Sequence, residues 1–343
     1  MKKILILAAI FSLTFSCKEG NKTSGSEKTA PVSGEDATLM AGAQAIFKSV
    51  STIKNDSIPA NKIELGKMLY FDKRLSKNNT IACNSCHNLE TYGVDNQSKS
   101  TGDTKELGGR NSPSSLYAFL EFKQFWDGRA QTVEDQAKGP ILNPVEHAIP
   151  NAKYLIDKLK AVPEYQTKFK AVYPDQADPI TLDNIANAIG AFERQLHPVS
   201  RFDKYLDGDN SALSVQEKQG LKNFMDSRCI TCHNGITVGG GMFQKFGLFG
   251  EYIKETKSEK LDNGIADLTH NQADKFFFKV PSLRNVAKTY PYFHDGSVKD
   301  LKEAIRIMGK LQVNEQLSEQ QIDNIAAFLN SLTAAPDPQY TKM

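Results

Sequence analysis

The chain has 343 residues, of which 40% are hydrophobic and 24% charged, the balance of a globular protein long enough for two domains. Its formal net charge of +2 excludes the dense basic surface that a nucleic-acid-binding protein needs, so no nucleic-acid partner is expected.

The N-terminus has the pattern of an export signal. Lys2 and Lys3 precede an apolar stretch at residues 4–13, which is too short to cross a bilayer comfortably. A basic start followed by a short apolar run is typical of a secretory signal. We therefore predict that residues 1–16 form a cleaved signal peptide.

Cys17 follows this segment directly, and its position resembles the lipid attachment site of a bacterial lipoprotein. The fit is imperfect because Thr14 and Phe15 are not usual in such a signal, and the alternative is a plain secretory signal with a soluble periplasmic product. Residues 17–40 carry few apolar side chains, which predicts a lipidated flexible tether. The predicted location is the periplasmic side of a bacterial membrane, with membrane contact only through the lipid.

Two C-x-x-C-H motifs use four of the five cysteines. Their residues are Cys83, Cys86 and His87 in the first motif and Cys229, Cys232 and His233 in the second. Two thiols at this spacing can both add to the vinyl groups of one haem, and the histidine that follows can bind its iron. The alternatives are disulfides or a zinc site. The motifs predict two covalently bound haem c groups, with His87 and His233 as axial ligands.

The body of the chain has helical periodicity and little strand signal. Apolar residues repeat at helical spacing over residues 185–196. Capping boxes at Ser214 and Ser318 predict the starts of two further helices, one leading into the second motif and one close to the C-terminus.

The two motifs lie far apart in the chain, so each can serve its own domain. A turn-rich segment at residues 197–213 is predicted to link them. The predicted fold is all-α, with two cytochrome c-like haem domains at residues 41–200 and 201–343 and with long connecting loops.

Several further motifs resemble those of the bacterial dihaem cytochrome c peroxidases, a family related to the MauG-type dihaem enzymes. They are Arg110-Asn111-x-Pro113, Phe125-Trp126-Asp127-Gly128-Arg129-Ala130, Gly139-Pro140-x-x-Asn143-Pro144-x-Glu146, Val280-Pro281-Ser282-Leu283-Arg284-Asn285 and Pro291-Tyr292-Phe293-His294-Asp295-Gly296. The resemblance runs in order from about residue 45 to about residue 335. It implies reduction of hydrogen peroxide to water with electrons from a small periplasmic donor, a cytochrome c or a copper protein. Peroxide would react in the N-terminal domain, and electrons would enter at the C-terminal one.

The resemblance also implies roles for single residues. Glu146 and Gln136 match the catalytic pair beside the N-terminal haem. Trp126 matches a tryptophan between the two haems that serves electron transfer. Met308 matches the axial methionine of the C-terminal haem, whose thioether would raise the reduction potential.

A calcium site is implied in the same way. Asn111 and the main-chain carbonyls of Thr289 and Pro291 match the protein ligands of one calcium ion between the haems. Relatives are often dimers, so the resemblance leaves a homodimer open.

Each of these side chains also has a simpler interpretation. Glu146 could be a solvated loop carboxylate, Trp126 a core aromatic and Met308 a core methionine. Met225 and Met242 are weaker candidates for the same iron. If Glu146 lies buried in its apolar surroundings, its pKa should be perturbed, as acid–base catalysis requires.

The loop after the first motif departs from the family pattern. Well-known members carry a histidine there, which caps the N-terminal iron at rest, whereas this chain has Asp103 and no histidine between His87 and His147. We expect the N-terminal iron to be open at rest, and the alternative is a cap formed by His147. The remaining histidines that could bind an iron are His197, His270 and His294.

Two other functions fit the same motifs. A dihaem electron-transfer cytochrome without peroxidase turnover would have two six-coordinate irons. A MauG-like enzyme that oxidises a protein substrate would place tyrosine where Met308 stands, so Met308 favours the peroxidase.

Overall fold

The computed structural model describes Met1, residues 34–55 and residues 57–343. Apart from Met1, the predicted signal peptide lies outside the described residues, and so does Cys17. Of the predicted tether, residues 34–40 are described, and they form the first half of a helix. No helix in the described part of the chain combines the length and the apolar character that a membrane crossing needs.

The described chain is mainly helical, as predicted. Its α-helices in the first half are α1 (Gly34–Ile46), α2 (Ala60–Phe71), α3 (Cys83–Cys86), α4 (Val133–Leu142), α5 (Ala152–Lys160), α6 (Pro163–Val172) and α7 (Leu182–Glu193). Those in the second half are α8 (Arg201–Leu206), α9 (Val215–Asp226), α10 (Tyr252–Thr256), α11 (Ala266–Thr269), α12 (Leu301–Val313), α13 (Glu319–Ser331) and α14 (Pro338–Thr341).

Short elements complete the fold. Single 3₁₀ turns occur at Val50–Thr52, Lys73–Leu75, Leu89–Thr91, Ala118–Leu120, Asn210–Ala212, Cys229–Thr231, Gln272–Asp274 and Val286–Lys288. Two strands, β1 (Phe243–Lys245) and β2 (Phe277–Lys279), pair antiparallel, with Phe243 opposite Lys279.

The first hydrophobic core forms where α2 crosses α7. The crossing is close at Gly66, where an added Cβ would lie only 1.8 Å from the carbonyl oxygen of Ala188, so glycine is required. Ile185, Ile189 and Phe192 of α7 are fully buried here. The helical face predicted from the sequence is thus confirmed as far as Phe192, whereas Leu196 is buried but lies beyond the end of α7.

The second core repeats this arrangement with α9 and α13. An added Cβ at Gly220 of α9 would again lie 1.8 Å from a carbonyl oxygen, that of Asn324 on α13. Both helices begin with the predicted capping boxes, at Ser214 and Ser318. A helix that precedes a C-x-x-C-H motif and is crossed by a later helix therefore occurs twice in the chain, as expected for two cytochrome c-like domains.

The segment predicted as a link also contains α8. Within it, the carboxylate of Asp203 forms an ion pair with Arg284 at 2.9 Å, and both side chains are fully buried. Asp203 also accepts a 2.9 Å hydrogen bond from the backbone amide of Val50. One buried carboxylate therefore joins an N-terminal segment, the link and the C-terminal half.

Each core also receives a segment from the opposite end of the chain. Ala43 and Phe47, at the end of α1, belong to the second core. Tyr340 of α14 packs against Phe192 of the first core, with ring centroids 5.9 Å apart.

Candidate functional site

A cavity of about 350 Å³ lies beside the first C-x-x-C-H motif. The short helix α3 places Cys83 and Cys86 one turn apart, and both line the cavity together with His87. Nδ1 of His87 lies 2.9 Å from the carbonyl oxygen of Pro113. This contact fixes the ring and leaves Nε2 for a metal in the cavity.

A second cavity, of about 640 Å³, lies beside the second motif. Cys229 and Cys232 line it, with His233 next to them. Nδ1 of His233 lies 3.3 Å from the carbonyl oxygen of Val238, the same kind of contact as in the first cavity. The two motifs thus present their residues to separate cavities in the same way.

The residues present fit a covalently attached haem in each cavity. All four motif cysteines are free thiols, which does not favour disulfides. Nowhere in the described ranges do three or more His, Cys, Asp or Glu residues come together as a metal site, so the motifs do not share one zinc ion. In the second cavity, Nε2 of His294 is buried without a hydrogen-bond partner, and a bound polar group would satisfy it.

Glu146 and Gln136 both line the first cavity. Nδ2 of Asn143 donates a 2.7 Å hydrogen bond to Oε1 of Glu146. Burial raises the pKa of Glu146, and the hydrogen bond from Asn143 and the positive charge of Arg129 offset part of the rise. A carboxyl with a raised pKa beside the haem-binding motif is suited to take up and release a proton, as a general acid–base group must.

The end of α4 explains how Glu146 reaches the cavity. The helix stops before Pro144, and the turn that follows is closed by a 3.1 Å bond from the amide of Glu146 to the carbonyl of Asn143. The amide of His147 also donates to the carbonyl of Pro140 at 3.2 Å. These bonds hold the turn against the last part of α4, the helix that also carries Gln136.

Asp103 is buried, but it is not among the residues that line the first cavity. Its carboxylate accepts hydrogen bonds from the backbone amides of Asn78 at 2.9 Å and Thr80 at 3.3 Å. Burial would raise the pKa of Asp103, but these bonds and one from the Thr80 hydroxyl outweigh it, so the pKa is lowered. The side chain is therefore an ionised anchor for its loop.

His147 lines the same cavity as Glu146. Its Nδ1 lies 3.0 Å from the carbonyl oxygen of Leu75. Burial lowers the pKa of His147 to about 4, so the ring is neutral at physiological pH. A neutral ring with Nδ1 engaged retains Nε2 as a potential ligand. His147 is therefore placed where it could act as the alternative cap of the iron.

Met308 lies on α12 and lines the second cavity with Ala304 and Ile305. Within the described ranges, the rival methionines Met225 and Met242 do not line it. Met225 packs instead against the second core.

Of the three remaining histidines, one lines a cavity and two do not. His197 and His270 line neither cavity, whereas His294 lines the second. The ring of His294 stacks on Phe278, with centroids 4.3 Å apart, which holds it in the cavity wall.

Trp126 lines both cavities. Its indole Nε1 donates a 2.9 Å hydrogen bond to the carbonyl of Asn111. The ring lies edge-on to His294, with centroids 6.4 Å apart. The single tryptophan thus stands in the partition between the two cavities.

Two asparagines form hydrogen bonds around the residues suggested for calcium. Nδ2 of Asn111 donates to the carbonyl of Gln97 at 2.9 Å. The carbonyls of Lys288 and Tyr290, on either side of Thr289, accept hydrogen bonds from Asn96 at 3.1 and 2.8 Å.

Three charged residues at the cavities had no role in the sequence analysis. Arg129 lies over the ring of Phe125, 3.4 Å from its centroid, and lines the first cavity. Glu193, at the end of α7, lines it as well, and burial raises its pKa to about 8. Lys279 ends an apolar run of three phenylalanines, and that signal could have marked it as an unusual buried charge.

Comparisons with known proteins agree with this geometry. The family model described as di-haem cytochrome c peroxidase matches residues 60–211, and the cytochrome c model matches residues 217–333. The chain is 44% identical over 313 residues to the cytochrome c551 peroxidase of Pseudomonas aeruginosa, covering 88% of each chain. It is 45% identical over 276 residues to the cytochrome c551 peroxidase of Nitrosomonas europaea, covering 80% of each. A solved MauG-like protein associated with microbial copper homeostasis is similar, with a TM-score of 0.72 and 29% identity over 83% of this chain and 92% of that one.

Proposed function

The chain belongs to the di-haem cytochrome c peroxidase family, and from this we propose that it reduces hydrogen peroxide to water with electrons from a small periplasmic redox protein. The observation that carries the proposal is in the first cavity. Glu146, with its raised pKa, lines the same cavity as the haem-binding motif residue His87. A pure electron carrier has no need of such a carboxyl.

The cysteines and histidines of the two motifs would hold the haems. Cys83 and Cys86 would attach the first haem in a peroxidatic domain at residues 41–200, with His87 as the axial ligand. When bound, this haem supplies the electrons that break the peroxide O–O bond. Peroxide would bind in the part of this cavity that Gln136 and Glu146 line.

The second haem would lie in a domain at residues 201–343, where electrons enter. Cys229 and Cys232 would attach it, and His233 and Met308 would be its axial ligands. The position of Met308 in the lining of this cavity supports this assignment.

Glu146 would move the proton during the reaction. As a carboxylate, it would accept a proton from the peroxide oxygen nearest the iron and then deliver that proton to the departing oxygen. Gln136 would hold the peroxide by hydrogen bonding, and the amide of Asn143 would keep Glu146 in place. Two electrons and two protons are consumed for each peroxide, and two water molecules are formed.

Electrons would pass from the second cavity to the first by way of Trp126, which lines both. The donor would be a cytochrome c or a copper protein that docks near the second haem. A lipid on Cys17 would keep the protein on the periplasmic side of the membrane. Asn111 and the main-chain carbonyls of Thr289 and Pro291 would hold one calcium ion between the haems. Two copies of the chain would form a homodimer.

Two other functions make different predictions. A dihaem electron-transfer cytochrome would not respond to peroxide. A MauG-like enzyme would oxidise a protein, and the higher identity to two cytochrome c551 peroxidases than to the MauG-like structure favours peroxide reduction.

Steady-state turnover tests the proposal directly. The purified holoprotein is mixed with a reduced small cytochrome c, and its oxidation is followed after peroxide is added. We expect catalytic oxidation with two donor molecules consumed for each peroxide. A visible spectrum unchanged by peroxide, with no donor oxidation, would support the electron-carrier alternative.

A further inference from the structure

Lys279 is the one lysine among the described residues that is buried, with 4% of its surface exposed. It ends strand β2, and its ammonium group forms an ion pair with the carboxylate of Glu121, which is also largely buried. A buried lysine is rare in proteins unless it is paired. The pair therefore sits at this position against a considerable desolvation cost.

The position of the pair is unusual. In the described part of the chain, only Lys279 and Trp126 line both cavities. The backbone amide of Lys279 donates a 2.7 Å hydrogen bond to the carbonyl of Trp126, so the two residues form one partition. Glu121 lines the first cavity from the other side of the ion pair.

Close packing keeps Glu121 in place. Gly240 approaches its side chain so closely that an added Cβ would lie 2.8 Å from Cγ of Glu121. The amide of Phe122 donates to the carbonyl of Gly240 at 3.0 Å, and the amide of Gly240 donates to the carbonyl of Val280 at 2.8 Å. The segments that carry Glu121 and Lys279 are therefore bound to each other through one glycine.

A charge held in this partition acts on both cavities. The interior is poorly polarisable, so a unit charge is felt there over greater distances than in water. Reduction adds an electron to a haem, and a nearby positive charge favours the reduced form while a negative charge opposes it. Burial lowers the pKa of Lys279 to about 7. The carboxylate of Glu121 beside it favours the charged form of the lysine.

We propose that the charges of Lys279 and Glu121 together set the reduction potentials of both haems. Lys279 would raise both potentials, and Glu121 would lower them. The inference rests on the proposed function, because it requires a haem in each cavity. The joint effect would preserve the difference between the two potentials, and with it the direction of electron flow past Trp126.

The other charged groups at the cavities differ in position, because none of them lines both cavities or is ion-paired with a residue that does. Arg110 and Arg129 line only the first cavity, and Arg228 lines only the second. Each faces a single cavity, so a change in one of them should act mainly on one haem.

The test is a spectroelectrochemical titration of both haems in the purified holoprotein. Lys279→Met and Glu121→Gln are both measured at pH 6, where Lys279 is charged, each against the wild type at the same pH. We expect Lys279→Met to lower both potentials and Glu121→Gln to raise both. The double variant should fall between them. Lys245→Met is the matched control, because Lys245 lies on β1 of the same sheet and lines neither cavity.

Shifts of the same sign in both single variants would indicate loosened packing and overturn the proposal. A shift confined to one haem, or no shift at all, would overturn it as well. If Lys279→Met fails to load two haems, Lys279→Gln takes its place, and Lys279→Arg should keep both potentials. A haem count by pyridine haemochrome comes first, because a wild-type protein with fewer than two covalent haems contradicts the proposed function itself.

Discussion

The backbone amide of Asp103 donates a 2.8 Å hydrogen bond to the carbonyl oxygen of Glu146. The carboxylate of Asp103 is bound at the same time to the segment at Asn78 and Thr80. Gly102 packs so tightly on Val145 that an added Cβ would lie 1.8 Å from its carbonyl oxygen. The loop that carries Asp103 is therefore fastened beside Glu146, and the carboxylate of Asp103 is not part of the cavity lining.

This anchoring predicts the resting state of the oxidised protein. The N-terminal haem should be high-spin, five-coordinate or water-ligated, and it should react with peroxide without prior reduction. Resting-state EPR, with peroxide turnover before and after one-electron reduction, measures both properties.

His147→Ala separates this account from a cap formed by His147. The resting spin state should not change in the variant, because in this account the ring of His147 is part of the cavity wall and its Nε2 does not bind the iron. Conversion from a low-spin to a high-spin signal would show that His147 is the cap.

Glu146→Gln should lower peroxide turnover by about 10²–10⁴-fold, the usual contribution of a general acid–base group. The substitution keeps the volume and removes the proton acceptor. Haem content and both reduction potentials should stay as in the wild type, which serves as the control for folding. Turnover equal to that of the wild type would remove Glu146 from the mechanism.

Asn143→Ala should shift the pH dependence of kcat/KM. Glu146 must be ionised to accept a proton, so activity falls as the pH drops through its pKa, which burial raises above its ordinary value of 4.5. Removal of the hydrogen bond from Asn143 favours the protonated form of Glu146. The acid limb of the pH profile, where kcat/KM falls, should therefore move to higher pH. The exposed Asn78→Ala is the control and should leave the limb in place. A limb that stays put or moves to lower pH in Asn143→Ala would contradict this assignment.

Met308→His should lower the reduction potential of the C-terminal haem, because imidazole ligation favours ferric iron more than a thioether does. Electron uptake from the donor should slow, while the N-terminal haem keeps its spectrum. Met225→His is the matched control, since Met225 packs in the second core away from the cavity lining. If redox titration finds the high-potential step unchanged in Met308→His, Met308 is a core residue.

Much of the fold followed from local patterns in the sequence. The apolar face of α7 and the capping boxes of α9 and α13 depend on neighbouring residues, so they could be predicted. The exchange of α1 and α14 between the cores could not, because it depends on contacts between the two ends of the chain. The close crossings at Gly66 and Gly220 were also missed, since a lone glycine does not reveal its partner.

The candidate site divides in the same way. The C-x-x-C-H spacing identified both cavities because haem attachment is a local geometric requirement. The shared partition of Lys279 and Trp126 arises from a strand and a loop about 150 residues apart in the chain, which only folding brings together. Asp103 was recognised as a departure from the family, but its role as a loop anchor depends on Asn78 and Thr80.

Peroxide turnover by the two cysteine double variants tests the central claim, that peroxide reacts at the haem attached to Cys83 and Cys86. Cys83→Ala/Cys86→Ala should keep one covalent haem with the spectrum of the C-terminal site and lose all turnover. Cys229→Ala/Cys232→Ala should also keep one haem, and it should still change its spectrum when peroxide is added. Two covalent haems in either variant, or a peroxide response that survives in the first and vanishes in the second, would contradict the account.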